Sequence, residues 1–301
     1  MDWIFPQIVK NEFITQINGI SLTIKREDQI HSKISGNKFR KLKYNLAQID
    51  KSSPPTVVTF GGAYSNHLVA TAAAGNLMQL KTVGFVRGEE LEHQKRNPSL
   101  AFCEQQGMEL LFLNRHDYRL KDSAPSVVDF CKSLPCLILP EGGTNSLAIK
   151  GCSEILTPQD REYDVICTSV GTGGTFLGLL QSMAPHQHLI GFRAVSDPKV
   201  MAWLNKKAPH SRYTLNSDFI FGGYGKVTDE LIDFINQFYL EYQILLDPLY
   251  TGKLLFGIFA LIKRGQWRWG KKVLVLHTGG IQAIEGFNLN QKKKGKLCID
   301  I

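Results

Sequence analysis

The chain alternates short apolar runs with longer stretches of helical periodicity. Pro55 to Phe60, Thr82 to Arg87, Met108 to Leu113 and Cys136 to Pro140 read as strands, each four to eight residues long and bounded by turn residues. Asp164 to Val170, His188 to Val195, Ile244 to Leu246 and Lys272 to His277 continue the series. Between them, Ser65 to Leu80, Asn97 to Gly107, Pro125 to Leu134 and Phe176 to Met183 carry helical patterns. The strands are apolar throughout rather than alternating, as strands covered on both faces are. Strand and helix in turn predict an α/β fold built on open parallel sheets. Gly143 to Asp164, rich in turn residues, is a candidate crossing between two domains.

Composition narrows the class. With 43% hydrophobic and 21% charged residues the chain reads as a soluble globular protein with an ample core. No apolar run approaches the length of a membrane span, and Met1 to Pro6 does not resemble a secretory signal. The six cysteines form no C-x-x-C pair, so neither a metal site nor a redox pair is signalled. Reduced thiols and a cytoplasmic location are the expectation. The net charge of +8 raises the question of nucleic acid. However, its densest run, Lys292 to Lys296, has no interleaved aromatics and reads as a solvated tail. No nucleic-acid or membrane partner is expected.

Three local patterns carry chemistry. Gly171-Thr172-Gly173-Gly174-Thr175 follows a buried-looking strand and opens an apolar helix. Glycines free backbone N–H groups to face an anion, and the helix start adds unpaired amides and a positive dipole end. A phosphate fits; the Walker and dinucleotide spacings are absent. Lys38, in Gly36-Asn37-Lys38-Phe39-Arg40-Lys41, sits at a helix start crowded by cations. Both effects disfavour the ammonium and favour the free, nucleophilic amine. Tyr64-Ser65-Asn66-His67 ends a strand and opens an alanine-rich helix, where open α/β sheets bind ligands. Each pattern alone also has a purely structural explanation: a tight turn, a solvated basic helix start and an N-cap.

Taken in order, seven blocks resemble one family, the pyridoxal-phosphate enzymes comprising D-cysteine desulfhydrase and 1-aminocyclopropane-1-carboxylate deaminase. They are Lys25 to Asp28, Gly36 to Leu42, Gly61 to His67, Pro140 to Asn145, Gly171 to Thr175, Asp247 to Lys253 and His277 to Gly280. The resemblance implies a tryptophan-synthase β-like fold. A large domain of residues 1–40 and 148–301 would enclose a smaller one of residues 41–147, with the cofactor between them, in a homodimer. It implies that Lys38 carries pyridoxal 5′-phosphate as a Schiff base and later moves the substrate α-proton. Asn66 would hold the phenolic oxygen, and Lys41 with Gly171 to Thr175 the phosphate. Ser65 and His67, with Tyr64, would line the substrate side, and Tyr224 and Tyr250 would be active-site tyrosines.

Two positions divide the family. Cyclopropane deaminases carry glutamate, paired with the pyridine nitrogen, where this chain has Thr251. Thr278 resembles the threonine that bonds that nitrogen in desulfhydrases. A neutral hydroxyl makes the weaker electron sink, which suits β-elimination. The implied reaction converts D-cysteine to pyruvate, hydrogen sulfide and ammonia. The alternatives are cyclopropane deamination, another D-amino acid lyase activity, or a degenerate protein that binds cofactor or amino acid without turnover. On the substrate side Tyr64 replaces a glutamine usual in desulfhydrases, and the arginine usual two residues after the histidine is absent.

Overall fold

The computed structural model describes residues 8–208, 212–223 and 225–300. Tyr224 therefore lies outside the described residues.

Two sheets organise the chain. The smaller is wholly parallel. Its strands are β3 (Thr56–Gly61), β4 (Thr82–Arg87), β5 (Met108–Leu113) and β6 (Cys136–Ile138), in the order β5-β4-β3-β6. The larger has the order β1-β2-β10-β7-β8-β9. Here β2 (Ile20–Lys25), β10 (Lys272–Leu276), β7 (Val165–Val170), β8 (His188–Arg193) and β9 (Tyr213–Asn216) are parallel. Only β1 (Asn11–Ile17) runs antiparallel, paired to β2 through a hairpin. Every residue of β3 and β7 is buried, as expected for strands covered on both faces.

Helices follow the strands and fix the site. Helix α1 (Asn37–Ala47) lies against α6 (Ser146–Cys152) so closely that a Cβ on Gly151 would stand 1.9 Å from the Arg40 carbonyl. It also runs across the boundary expected at residue 41. Helix α2 (Asn66–Met78) starts after β3, with Ser65 as N-cap: its hydroxyl accepts from the Leu68 amide at 3.3 Å. Its alanines and Gly75 admit the neighbouring chain, and a Cβ on Gly75 would overlap Thr82 at 2.2 Å. Helix α7 (Gly174–Ser182) follows β7, and α8 (Pro198–Lys207) follows β8. Helix α10 (Thr251–Lys263) packs on β7 and β8 of the larger sheet, and α11 (Ala283–Lys293) packs against the helix Pro98–Gln105 and lends Ala283, Phe287 and Asn290 to the cavity wall.

One strand expectation needs correction. Ile244 to Leu246 lies in neither sheet; Ile244 and Leu246 are buried in the core beneath the larger sheet and Leu245 is partly buried. The hairpin β1–β2 and the short edge strand β9 were not foreseen. The lysine run at the end of α11 is exposed, as expected for a solvated tail.

Candidate active site

The C-terminal ends of β3, β4, β7 and β8 open on a common cavity of about 720 Å³. It contains most of the residues singled out by sequence: Lys38, Lys41, Tyr64, Ser65, Asn66, His67, Gly171, Thr172, Gly173, Thr175, Tyr250 and Thr278. Open α/β sheets bind ligands at this edge.

Lys38 and Lys41 lie one turn apart on α1. Gly36 starts that helix at φ +62°, where a Cβ would stand 1.8 Å from the Thr278 carbonyl. The same carbonyl accepts from the Asn37 amide at 3.4 Å. Only glycine permits this approach, which brings the Lys38 helix start up to the loop after β10. The Lys38 amine is 3.2 Å and the Lys41 amine 2.8 Å from the Gly142 carbonyl. Burial first, then the Lys41 cation, lowers the Lys38 pKa well below the ordinary lysine value. Burial lowers that of Lys41 as well, but its contact with Lys38 favours its charged form. The downward shift is the larger at Lys38.

Lys41 also donates to Thr144 Oγ1 at 2.9 Å and Thr172 Oγ1 at 3.3 Å, and those hydroxyls are 2.5 Å apart. On the other side of the glycine loop, Asn37 donates to Thr175 Oγ1 at 2.7 Å. The amides of Thr172, Gly173, Gly174 and Thr175 find no acceptor among the described residues. A cation, threonine hydroxyls and, at the start of α7, amides without an acceptor among the described residues form a donor set that suits a phosphate dianion. Gly173 holds φ +86°, and Gly171 packs near Tyr250, whose ring carbon would be 3.3 Å from an added Cβ.

Across the cavity, Asn66 Oδ1 accepts from Gln282 at 3.0 Å, joining α2 to the loop before α11. His67 is 2% exposed, and neither ring nitrogen has a partner among the described residues. Burial, and after it the Lys38 and Lys41 cations, hold its pKa well below the usual histidine value, so its ring is neutral. Thr278 lines the cavity. Tyr64 packs on Gly286 and accepts from Asn290 at 3.3 Å, closing the side toward α11.

Thr251 does not line the cavity. It is 1% exposed, donates to Asp247 Oδ1 at 2.7 Å and accepts from the Asp247 amide at 2.9 Å. Its expected place beside a pyridine ring is thus taken by a turn-forming role: the Asp247 carboxylate caps the amides of Leu249, Tyr250 and Thr251. Gly174 also lies off the cavity wall, behind the loop and against Thr144. Sequence reasoning assigned no role to Asn37, Gly142, Thr144, Gln282 or Arg87. The Pro140 to Asn145 block flagged two of these positions; nothing local marked Arg87.

A buried lysine whose ammonium form is disfavoured, beside an anion cradle at the facing ends of two largely parallel sheets, defines a pyridoxal-phosphate enzyme of the tryptophan-synthase-like fold. The chain belongs to the pyridoxal-phosphate dependent enzyme family, whose model matches residues 6–279. It is 30% identical, over 88% of its length and 86% of the relative's, to a Pyrococcus abyssi protein named "Putative 1-aminocyclopropane-1-carboxylate deaminase". It is 29% identical to the mitochondrial bifunctional D-cysteine desulfhydrase/1-aminocyclopropane-1-carboxylate deaminase of Arabidopsis thaliana, over 88% of this chain and 73% of that one. Among solved structures, an ACC deaminase homologue superposes with a TM-score of 0.82 at 26% identity, covering 93% of this chain and 91% of the other. O-ureido-L-serine synthase, with a TM-score of 0.67 and 13% identity, shares the fold.

Proposed function

We propose that the protein catalyses β-elimination from a D-amino acid, with D-cysteine the preferred substrate. The carrying observation is Thr278. It lines the cavity with Pro248, Leu249, Tyr250 and Gly279, none of them a carboxylate; the carboxylates of the lining, Glu90, Glu141 and Asp197, come from other segments of the chain. When bound, the cofactor supplies an electron sink for the charge left at the substrate α-carbon. A hydroxyl partner leaves that sink weaker than a carboxylate would, which is sufficient when a good leaving group departs from the β-carbon.

The chain's own groups divide the remaining work. Lys38 would hold the cofactor covalently, and its Nζ, whose ammonium form burial disfavours, would be the group that takes the substrate α-proton. Lys41, the hydroxyls of Thr144, Thr172 and Thr175, and the loop amides hold the phosphate. The free amides of Asn66 and His67 at the start of α2, with the Ser65 hydroxyl, receive the substrate carboxylate. Tyr250, against Gly171, and Tyr224 would serve as active-site tyrosines, a reading that the family resemblance supports. A homodimer in the cytoplasm belongs to the same proposal; sedimentation of the holoenzyme tests the assembly.

The decisive assay incubates the holoenzyme with D-cysteine, L-cysteine, D-serine, O-acetyl-D-serine and 1-aminocyclopropane-1-carboxylate, and measures sulfide, pyruvate and 2-oxobutyrate. Sulfide and pyruvate from D-cysteine are expected. Dominant 2-oxobutyrate from the cyclopropane substrate would establish the second reading, which the names of the relatives favour. Cofactor absorbance without turnover of any substrate would instead mark a binding protein.

A further inference from the structure

The cavity wall beside the substrate turn contains a cation that none of the preceding roles uses. Arg87 ends β4 as the exposed residue of that otherwise buried strand, and lines the cavity. Its Nη2 would stand 3.7 Å from a Cβ on Gly62, so the guanidinium lies over the start of the turn that leads to Ser65, Asn66 and His67. The other charges on that wall are already matched. Glu141 accepts from the Tyr118 hydroxyl at 2.6 Å and pairs with Lys121 at 3.1 Å. Glu90 pairs with Arg115 at 3.5 Å. Arg87 has no carboxylate partner among the described residues; its charge meets only the face of the Tyr118 ring, 5.9 Å away. Its field is felt nearby, since it contributes, after burial, to the lowering of the Lys121 pKa.

A second, independent observation marks the same corner as a ligand position. The amides of Asn66 and His67, on the turn that begins at Gly62, take no acceptor among the described residues. Donors without acceptors on one side and an unmatched guanidinium on the other bracket a place for an anion. A guanidinium and backbone amides are the donors that recognise a carboxylate.

The geometry points to Arg87 as a substrate-binding residue that holds the α-carboxylate of the amino acid against the start of α2. The inference rests on the proposal that an amino acid occupies this end of the cavity. It adds a specificity element: amino acids with a free carboxylate are selected over their esters and amides. Arg87 touches no reacting atom, so its contribution falls on binding rather than on the chemical step.

The test compares wild-type holoenzyme with Arg87→Ala and Arg87→Lys, using D-cysteine and D-cysteine methyl ester as substrates. Binding of D-alanine, which has no leaving group, is followed by calorimetry. Loss of one charge-assisted hydrogen bond predicts about a tenfold rise in KM for D-cysteine and an equal weakening of D-alanine binding in Arg87→Ala. The value of kcat and the cofactor content should stay near wild type, Arg87→Lys should recover part of the loss, and the ester should not distinguish the proteins. Equal KM and equal D-alanine affinity in wild type and Arg87→Ala would overturn the assignment, as would equal losses for acid and ester. If the wild type turns over no D-amino acid, the proposed reaction falls, while D-alanine calorimetry still decides the role of Arg87.

Discussion

Thr251 separates what residue identity can say from what contacts decide. By sequence it stands where a carboxylate would tune the cofactor; in the fold its hydroxyl is committed to Asp247. Thr251→Glu would therefore set two carboxylates together in a buried turn. The expected result is a loss of about 3 kcal/mol or more in denaturant unfolding, not a change of reaction. Thr251→Val, which removes only the hydroxyl, should cost about 1–3 kcal/mol by the same measurement. Lys38, Lys41 and Asn66 were legible because their chemistry is local to motifs. Arg87 and Gln282 were not, because only tertiary packing brings Arg87 to the cavity and Gln282 to Asn66. Lys253, behind the site, donates to the carbonyls of Ile220 and Gly223 at 2.9 and 3.0 Å. Burial lowers its pKa to about 8 from an ordinary 10.5, so above about pH 8 the folded protein holds fewer protons there than the unfolded chain. This group's contribution to stability therefore rises with pH between about 8 and 10.5. Lys253→Met should remove that slope from the difference in melting temperature; a parallel profile in both proteins would refute the account.

Elements rather than single residues make the cradle. The glycine loop was legible as strand, turn and helix, and its anion chemistry followed from unpaired amides at the start of α7. Gly171→Ala tests it with little backbone strain: the new methyl would press on Tyr250 at 3.3 Å. Cofactor affinity should fall severalfold in a folded protein, as read by fluorescence titration of the apoprotein. Gly36→Ala is the stronger lesion, since it combines positive φ with overlap on the Thr278 carbonyl. It should cost about 2 kcal/mol or more in denaturant unfolding. The hairpin was the missed element, although its signal is explicit. Asn18-Gly19 joins two runs of similar length, and both residues take the positive φ that such turns require, 51° and 77°. Strand β9 carries a weaker signal, being four residues long and paired only to β8 at the sheet edge. Ile244 to Leu246 shows the opposite error: a β-branched residue and two leucines read as a strand, but their side chains fill the core without pairing in either sheet.

At the scale of the molecule, alternation of strand and helix was enough to foresee parallel sheets, but not how many or in what order. Strand order depends on which edges remain open after each crossover, and the local pattern does not encode that. What the arrangement achieves is one cavity bounded by both sheets, with Lys38 from α1, the anion cradle from β7 and α7, and the substrate turn from β3 and α2. A ligand gripped by all three should stabilise the native state through linkage. At a hundredfold excess over its Kd that amounts to about 2.7 kcal/mol, so removing the cofactor should lower Tm by roughly 5 °C. The central claim, however, is covalent and belongs to one atom, Nζ of Lys38. The most direct measurement is borohydride reduction of the holoenzyme followed by peptide mapping. The account predicts that the visible cofactor band disappears and that the reduced cofactor is found on Lys38. A label on Lys41 or on any other lysine, or a protein that binds no cofactor, would contradict it.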